Sequence, residues 1–120
     1  MGFLSNFLSL EENPIPDVEL PYVVTGNSYY VKSDPGYKYV YEMRRNGKVV
    51  YVGITGNPSA RGGTYGGKLA KLRKNHNDGI QPSDEMILIE YLPVADARKR
   101  EKQLIAYYGI ETLANRNKGG

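Results

Sequence analysis

Two tyrosines and an arginine lie at spacings that can bring two phenol hydroxyls and a guanidinium group together. Tyr41 and Tyr51 lie in two runs rich in Val and Tyr that flank residues 45–47, a pattern typical of a β-hairpin. Arg61 follows ten positions after Tyr51. A guanidinium holds phosphate oxygens through its planar fork, and tyrosines stack on bases or contact phosphates. These residue types can contact a phosphate group, although paired tyrosines are also ordinary strand residues.

The register of the hairpin decides whether the two tyrosines share a face of the sheet. A two-residue loop at 46–47 pairs Arg45 with Lys48 and places the tyrosines on opposite faces. A three-residue loop at 45–47 places Gly47 in the left-handed bulge position and pairs the tyrosines directly. We favour the three-residue loop, because glycine then lies where the loop needs a positive φ.

A short helix is predicted directly after the hairpin. Asn57 suits its N-cap and Pro58 its first position, which places Arg61 one turn into the helix. Paired glycines at 62–63 and 66–67 then interrupt the helical pattern.

The next segment, residues 68–75, is predicted to be a helix and is the most basic part of the chain. A run of charge is usually a solvated face. Here it directly follows the segment that carries Arg61, which favours contacts between Lys68, Lys71 or Lys74 and phosphate groups.

One glutamate interrupts an apolar helical stripe late in the chain. Residues 85–92 predict a strand, and residues 94–108 predict a helix that ends at Gly109. The apolar positions of this helix form a stripe with one missing member, Glu101. A carboxylate inside such a stripe is costly unless a positive group meets it. Glu101 either faces the core for a functional reason or lies at the edge and pairs with Arg98.

The motifs of the hairpin resemble those of the GIY-YIG nuclease domain. Tyr39-Val40-Tyr41 stands at the first motif, with Tyr in place of its Gly. Tyr51-Val52-Gly53 is a close match to the second. The resemblance covers about residues 38–120.

Four later residues fit the same family pattern. Arg61 matches the helix arginine, and Tyr65 occupies a position that is His or Tyr in the family. Glu101 matches the metal-binding glutamate, and Asn115 matches the asparagine near the end, with Asn117 as a close rival.

The resemblance implies an endonuclease that hydrolyses phosphodiester bonds of DNA, with RNA not excluded. Glu101 would hold Mg²⁺ or Mn²⁺, and Arg61 would hold the phosphate. The three tyrosines at 41, 51 and 65 would position or deprotonate the attacking water. Nucleic-acid contacts are expected from Lys68, Lys71, Lys74 and Asn115.

Composition sets limits on other kinds of site. The 120 residues suit one domain, and a formal charge of +3 is only mildly basic. There is no cysteine, and His76 is the only histidine, so a typical zinc site is not expected. No apolar run reaches membrane-spanning length, and no membrane association is expected.

The expected fold is α/β (α+β), with a small, mainly antiparallel three-stranded sheet flanked by helices. Residues 1–36, rich in proline, are expected to form an N-terminal extension or linker, and residues 37–120 the nuclease-like domain.

The biological setting is open on sequence alone. Domains of this family occur in homing and restriction endonucleases, repair enzymes and bacterial toxins. The basic end at residues 115–120 favours a secreted effector that acts in the cytoplasm of a target cell, which implies a cognate immunity protein. The alternative from another class is a catalytically inactive module that binds nucleic acid or protein.

Overall fold

The computed structural model of the chain describes residues 15–59, 67–74 and 79–115. These ranges contain one four-stranded antiparallel sheet with strand order β1-β4-β2-β3 and two α-helices. The strands are β1 (Tyr22–Val23), β2 (Tyr37–Arg45), β3 (Lys48–Thr55) and β4 (Glu85–Pro93). The helices are α1 (Lys68–Lys74) and α2 (Val94–Tyr108), and 3₁₀ turns lie at Ser28–Tyr30 and Ile110–Thr112.

The α+β class with an antiparallel sheet is confirmed. The short β1 pairs with β4 and adds a fourth strand to the three that were predicted. Helix α2 spans the predicted residues, and Gly109 ends it with φ 91°. The predicted short helix does not begin at Pro58. Residues 57–59 have no regular secondary structure. Their carbonyls instead accept hydrogen bonds from the first N–H groups of α1.

The predicted three-residue loop of the hairpin is wrong. Arg45 pairs with Lys48, and Asn46 and Gly47 form a two-residue turn with φ of 52° and 81°. Two successive positive φ angles define the turn whose twist matches that of the strands it joins, and Asn-Gly is its favoured sequence. Because asparagine also tolerates this conformation, Gly47 alone did not decide the loop length.

A β-bulge in β3 reverses the consequence of that turn. Met43 pairs with Tyr51 but Arg44 pairs with Val49, so Val50 is an extra residue on β3. One extra residue shifts the alternation of side chains by one position. Tyr41 and Tyr51 therefore share a face of the sheet, as expected, but through the bulge and not through the loop. Their predicted direct pairing is wrong, because Tyr41 pairs with Gly53 and Tyr51 pairs with Met43.

The main core lies on the face of the sheet that carries the two tyrosines. It combines alternate residues of β2 with residues of β4, the segment before β2, and α1. Its fully buried members include Val31, Tyr39, Tyr41, Met43, Leu69, Met86 and Leu88. Leu69 faces inward, and this contact fixes α1 against the sheet beside the tyrosines.

Residues 15–36 pack on the sheet in the range that the structure describes. Val24 and Val31 belong to the main core, and the backbone N–H of Asp17 donates to the Tyr39 hydroxyl at 3.2 Å. The predicted boundary between an extension and the nuclease-like domain at residue 37 stays a prediction.

An ion pair ties the hairpin tip to the segment between α1 and β4. Arg45 donates to both carboxylate oxygens of Asp84 at 2.8 Å, and the Gln81 N–H donates to the same carboxylate. Arg73 of α1 donates to the Asp84 carbonyl at 3.0 Å. The hydrogen bonds from Arg45 hold the pKa of Asp84 below its usual value, although burial opposes this effect. This network orients α1 relative to the hairpin.

Helix α2 packs against β2, β3 and β4 through a stripe of buried residues, Ala97, Glu101 and Ile105. At its C-terminal end the Tyr108 hydroxyl donates to Oε2 of Glu42 at 2.7 Å. Arg44 donates to the other oxygen of this buried carboxylate. In the described ranges, neither helix is long and apolar enough to cross a membrane.

Candidate active site

The ring of Tyr41 lies over Gly53, its direct partner on β3. A Cβ built on Gly53 would lie 2.6 Å from Cζ of Tyr41, which is closer than carbon atoms approach one another. The ring of Tyr51 lies beside that of Tyr41, with centroids 6.1 Å apart and planes 17° from parallel. The glycine of the second motif therefore provides the space in which the two tyrosine rings stack.

The Tyr41 hydroxyl is buried and lacks a well-formed hydrogen bond to any described residue. The Tyr51 hydroxyl is near enough to affect the Tyr41 pKa without making such a bond. Burial raises the pKa of Tyr41 well above its usual value, and the Tyr51 hydroxyl and the Glu101 carboxylate raise it further. A buried polar atom with no partner is unusual in a folded protein and marks a functional candidate.

Burial also raises the pKa of Tyr51, which is half-buried. The hydroxyl of Tyr41 lowers the Tyr51 pKa, and the charge of Glu101 raises it. Both phenols are therefore neutral at physiological pH in the protein alone. A neutral phenol donates and accepts hydrogen bonds, whereas a base role would need a cation to lower its pKa.

Glu101 is 8% exposed and lies on the buried stripe of α2. Its carboxylate acts on the pKa values of both tyrosines, so the structure brings Tyr41, Tyr51 and Glu101 together. The alternative partner, Arg98, is exposed and forms no ion pair with any described residue.

A divalent cation fits this donor set. No cluster of three or more His, Cys, Asp or Glu side chains occurs within the described ranges. One carboxylate, completed by water and substrate oxygens, is a coordination that Mg²⁺ favours. Glu101 is the described residue that would hold the ion.

Arg61 and Tyr65 lie outside the described residues. The described residues on either side, Ser59 and Gly67, are close together: a Cβ built on Gly67 would lie 2.6 Å from the backbone nitrogen of Ser59. The Lys68 N–H also donates to the Asn57 carbonyl at 2.8 Å. The two ends of segment 60–66 are therefore held together after β3.

The three lysines predicted to contact nucleic acid all lie on α1. Lys71 and Lys74 are exposed and Lys68 is half-buried. None of them forms an ion pair with a residue in the described ranges. The predicted contact with nucleic acid stays a prediction.

Asn115 lies against the outer edge of β3. Its Oδ1 accepts from the Val52 N–H at 3.0 Å, and its Nδ2 donates to the Val52 carbonyl at 2.7 Å. The neighbouring Ala114 N–H donates to the Val50 carbonyl. Both ends of the amide are engaged by the strand between Tyr51 and Gly53. The predicted nucleic-acid contact stays a prediction, while the observed contacts hold Ala114 and Asn115 on the edge of the sheet.

The sequence reasoning did not include the contact between Glu42 and Tyr108. Glu42 directly follows Tyr41, and Tyr108 lies two turns after Glu101 on α2. Their hydrogen bond links the strand of the tyrosines to the helix of the glutamate. A charged residue inside a strand with apolar groups on both faces is the signal that could have identified Glu42.

Comparison with known families agrees with this geometry. The family model described as the GIY-YIG catalytic domain matches residues 37–113, well over half of the chain. The matched range contains Tyr41, Tyr51, Arg61, Tyr65 and Glu101, and ends two residues before Asn115. Comparisons with curated proteins and with solved structures gave no significant match. The chain belongs to the GIY-YIG catalytic domain family.

Proposed function

We propose that this chain is a metal-dependent endonuclease that hydrolyses phosphodiester bonds of DNA. The observation that carries the proposal is the grouping of Tyr41, Tyr51 and Glu101, in which the charge of one buried carboxylate acts on the pKa values of a buried and a half-buried phenol. Family membership supports a nuclease reaction, since domains of this family are usually endonucleases.

Hydrolysis of a phosphodiester needs an oriented water, neutralisation of charge on the phosphate and stabilisation of the leaving oxygen. The water oxygen bonds to phosphorus as the bond from phosphorus to the leaving sugar oxygen breaks. A Mg²⁺ or Mn²⁺ ion supplies positive charge that stabilises the leaving oxygen. Glu101 would hold that ion from the buried stripe of α2.

The tyrosines would orient the water. Because their pKa values are raised, each hydroxyl reaches the substrate complex as a neutral group that can accept a hydrogen bond from water and donate one to a phosphate oxygen. Positive charge in the loaded site would lower a phenol pKa, so that the hydroxyl loses its proton to solvent and the resulting phenolate accepts a proton from the water. Arg61 would bind the non-bridging oxygens, and Tyr65 would support the same water.

A plasmid-nicking assay tests the proposal. Supercoiled DNA is incubated with the protein and magnesium, with manganese, and with a chelator, and an RNA of matched length is run beside it. Nicking only with a divalent ion supports the proposal, and Arg61→Ala should lower the rate about a hundredfold or more. If the folded protein binds DNA but leaves it uncut with every ion, the chain is instead a non-catalytic nucleic-acid-binding module.

The biological setting is a separate part of the proposal. The basic end at residues 115–120 is the feature that supports an effector role with a cognate immunity protein. Expression of the wild-type protein and of Glu101→Gln in the cytoplasm of bacteria tests it. Growth arrest and DNA damage with the wild type alone would support an effector. Equal growth with both would favour a repair or restriction enzyme.

A further inference from the structure

A lysine and a serine converge over a glycine at the end of the sheet. A Cβ built on Gly56 would lie 2.7 Å from Oγ of Ser33 and 3.2 Å from Nζ of Lys38. Lys38 lies in the first half of β2, and Ser33 belongs to the segment that precedes this strand. Since Gly56 has no side chain, the ammonium and the hydroxyl both reach one point above its backbone.

The serine is held in place by the backbone. The Ser33 N–H donates to the Gly56 carbonyl at 2.9 Å, so the backbone of Ser33 is held against Gly56. The hydroxyl itself has no hydrogen bond to another residue of the described ranges. Its capacity to donate a hydrogen bond is therefore unused within these ranges.

Lys38 likewise has no counter-charge within the described residues. Lys38 forms no ion pair and no hydrogen bond through Nζ within residues 15–59, 67–74 and 79–115. The nearest acidic residue in sequence to Ser33 is Asp34, and its carboxylate accepts a hydrogen bond from the Tyr91 hydroxyl at 2.8 Å. The ammonium of the half-buried Lys38 and the Ser33 hydroxyl suit an anion, and a phosphate oxygen matches both donors.

We propose that Lys38 and Ser33 bind a backbone phosphate of the nucleic acid at the end of the sheet. This inference rests on the proposed nuclease function. Gly56 lies three residues after Gly53, and three residues of strand span about 10 Å. Because successive side chains of a strand alternate between faces, Lys38 lies on the face of the sheet opposite Tyr41. The pair thus binds a phosphate at the end of the sheet, separate from the tyrosine site.

Binding of a short duplex DNA, measured by fluorescence anisotropy with a chelator present over a range of salt, tests the site without turnover. Lys38→Gln should weaken binding severalfold and reduce the salt slope by about 0.9, because one phosphate contact is lost. Lys38→Arg should restore the slope. Ser33→Ala should weaken binding with little change of slope, since the hydroxyl carries no charge.

Lys48→Gln is the matched control. Lys48 is exposed and lies at the other end of β3, about 26 Å from Gly56 by strand rise. It carries the same charge, so the two variants have equal net charge. Binding by Lys38→Gln that equals binding by Lys48→Gln, in affinity and in slope, would overturn the phosphate site. Thermal melts of all variants check that the fold is kept.

Cleavage kinetics separate this inference from the nuclease proposal. If the wild type cuts DNA, Lys38→Gln should raise KM and keep kcat, and an unchanged KM would remove the site while the nuclease stands. If the wild type cuts nothing but binds DNA in a Lys38-dependent way, the site stands and the nuclease proposal fails. Displacement of DNA by millimolar inorganic phosphate would identify the site as a pocket for free anions and overturn backbone binding.

Discussion

Tyr41 and Gly53 lie opposite each other on β2 and β3, and the tyrosine ring occupies the space that a side chain at Gly53 would need. We predict that Gly53→Ala destabilises the fold by about 1–3 kcal/mol, as overpacking of a close-packed core does. The displaced Tyr41 hydroxyl should also lower cleavage. Chemical denaturation measures the first effect and plasmid nicking the second.

Gly26→Ala is the control for that substitution. No atom lies within 4 Å of a Cβ built on Gly26, so this variant should melt like the wild type. Equal stability of the two variants would show that the Tyr41 ring does not need the space above Gly53.

The buried, unpartnered hydroxyl of Tyr41 predicts opposite effects on stability and activity. Tyr41→Phe removes a polar atom that has no well-formed hydrogen bond to the described residues, so the free energy of unfolding should stay level or rise. Cleavage should fall by about a hundredfold, in the range of a lost acid–base or positioning group. Thermal melts and initial cleavage rates measure the two.

Tyr39→Phe provides the comparison. The Tyr39 hydroxyl accepts a hydrogen bond from the Asp17 N–H, so its loss should destabilise by about 1 kcal/mol. Cleavage should stay near the wild-type rate. A Tyr41→Phe protein that is less stable than Tyr39→Phe and fully active would assign Tyr41 to the core alone.

Helix α2 and the position of Glu101 could be predicted from the sequence because their signals are local. The apolar spacing of residues 94–108 and the helix stop at Gly109 gave α2, and the interruption of its stripe gave Glu101. The tyrosine pairing could not be predicted, because the bulge falls on Val50 next to Val49, and two adjacent valines fit either register. Bulges depend on how strands pack and leave no fixed residue signature.

Contacts between segments distant in sequence were also not predictable. The buried positions of Val24 and Val31 depend on how residues 15–36 fold back over the sheet, and their proline-rich sequence shows no periodic pattern. Asn115 was recognised by its place near the end, but its pairing with Val52 depends on the path of the chain after α2. Such contacts need the tertiary structure.

The ion pair between Arg45 and Asp84 predicts a stability change that depends on pH. The pKa of Asp84 is lowered in the folded protein, so its contribution is present above the ordinary carboxyl pKa of about 3.9 and is lost as pH falls through the folded value. Asp84→Asn should lower the melting temperature at pH 7, and the difference from the wild type should shrink below about pH 4.

Glu85→Gln is the matched control, because Glu85 is the exposed neighbour and loses the same charge. Thermal melts from neutral to acid pH follow both variants. A constant difference between Asp84→Asn and the wild type over the whole range would exclude the ionised pair as its origin.

The hydrogen bond from Tyr108 to Glu42 predicts a change at alkaline pH. Burial and the Glu42 carboxylate raise the pKa of Tyr108 to about 12. Since an unfolded tyrosine ionises near ~10, this residue contributes stability below about pH 10 that is lost between about pH 10 and 12. Tyr108→Phe should destabilise by about 2 kcal/mol at pH 7 and show a shallower fall over that alkaline range.

The neighbouring Tyr107 is 81% exposed, so Tyr107→Phe should behave like the wild type at both ends of the pH range. Urea denaturation at pH 7 and at pH 11 compares the three proteins. An alkaline fall of equal steepness in wild type and Tyr108→Phe would show that other groups cause it.

Glu101 is either a metal ligand or one half of a structural ion pair, and the two roles predict different responses to magnesium. If Glu101 holds the ion, magnesium at about a hundred times its Kd stabilises the wild type by about 2.7 kcal/mol. Glu101→Gln keeps the shape, and we predict that it loses both this stabilisation and cleavage. Its metal-free melting temperature should stay near that of the wild type. The exposed Glu111 gives the control, and Glu111→Gln should keep the magnesium response and the activity.

A structural ion pair would give the reverse result. Loss of one charge of a buried pair leaves the other unmatched and costs about 3 kcal/mol, with or without magnesium. Cleavage would then survive at temperatures where the variant stays folded. Because the Glu101 charge also raises the pKa values of Tyr41 and Tyr51, Glu101→Gln should shift tyrosine ionisation to lower pH, as followed by ultraviolet absorbance. A variant that is less stable, active and unchanged in its magnesium response would remove Glu101 from the metal site.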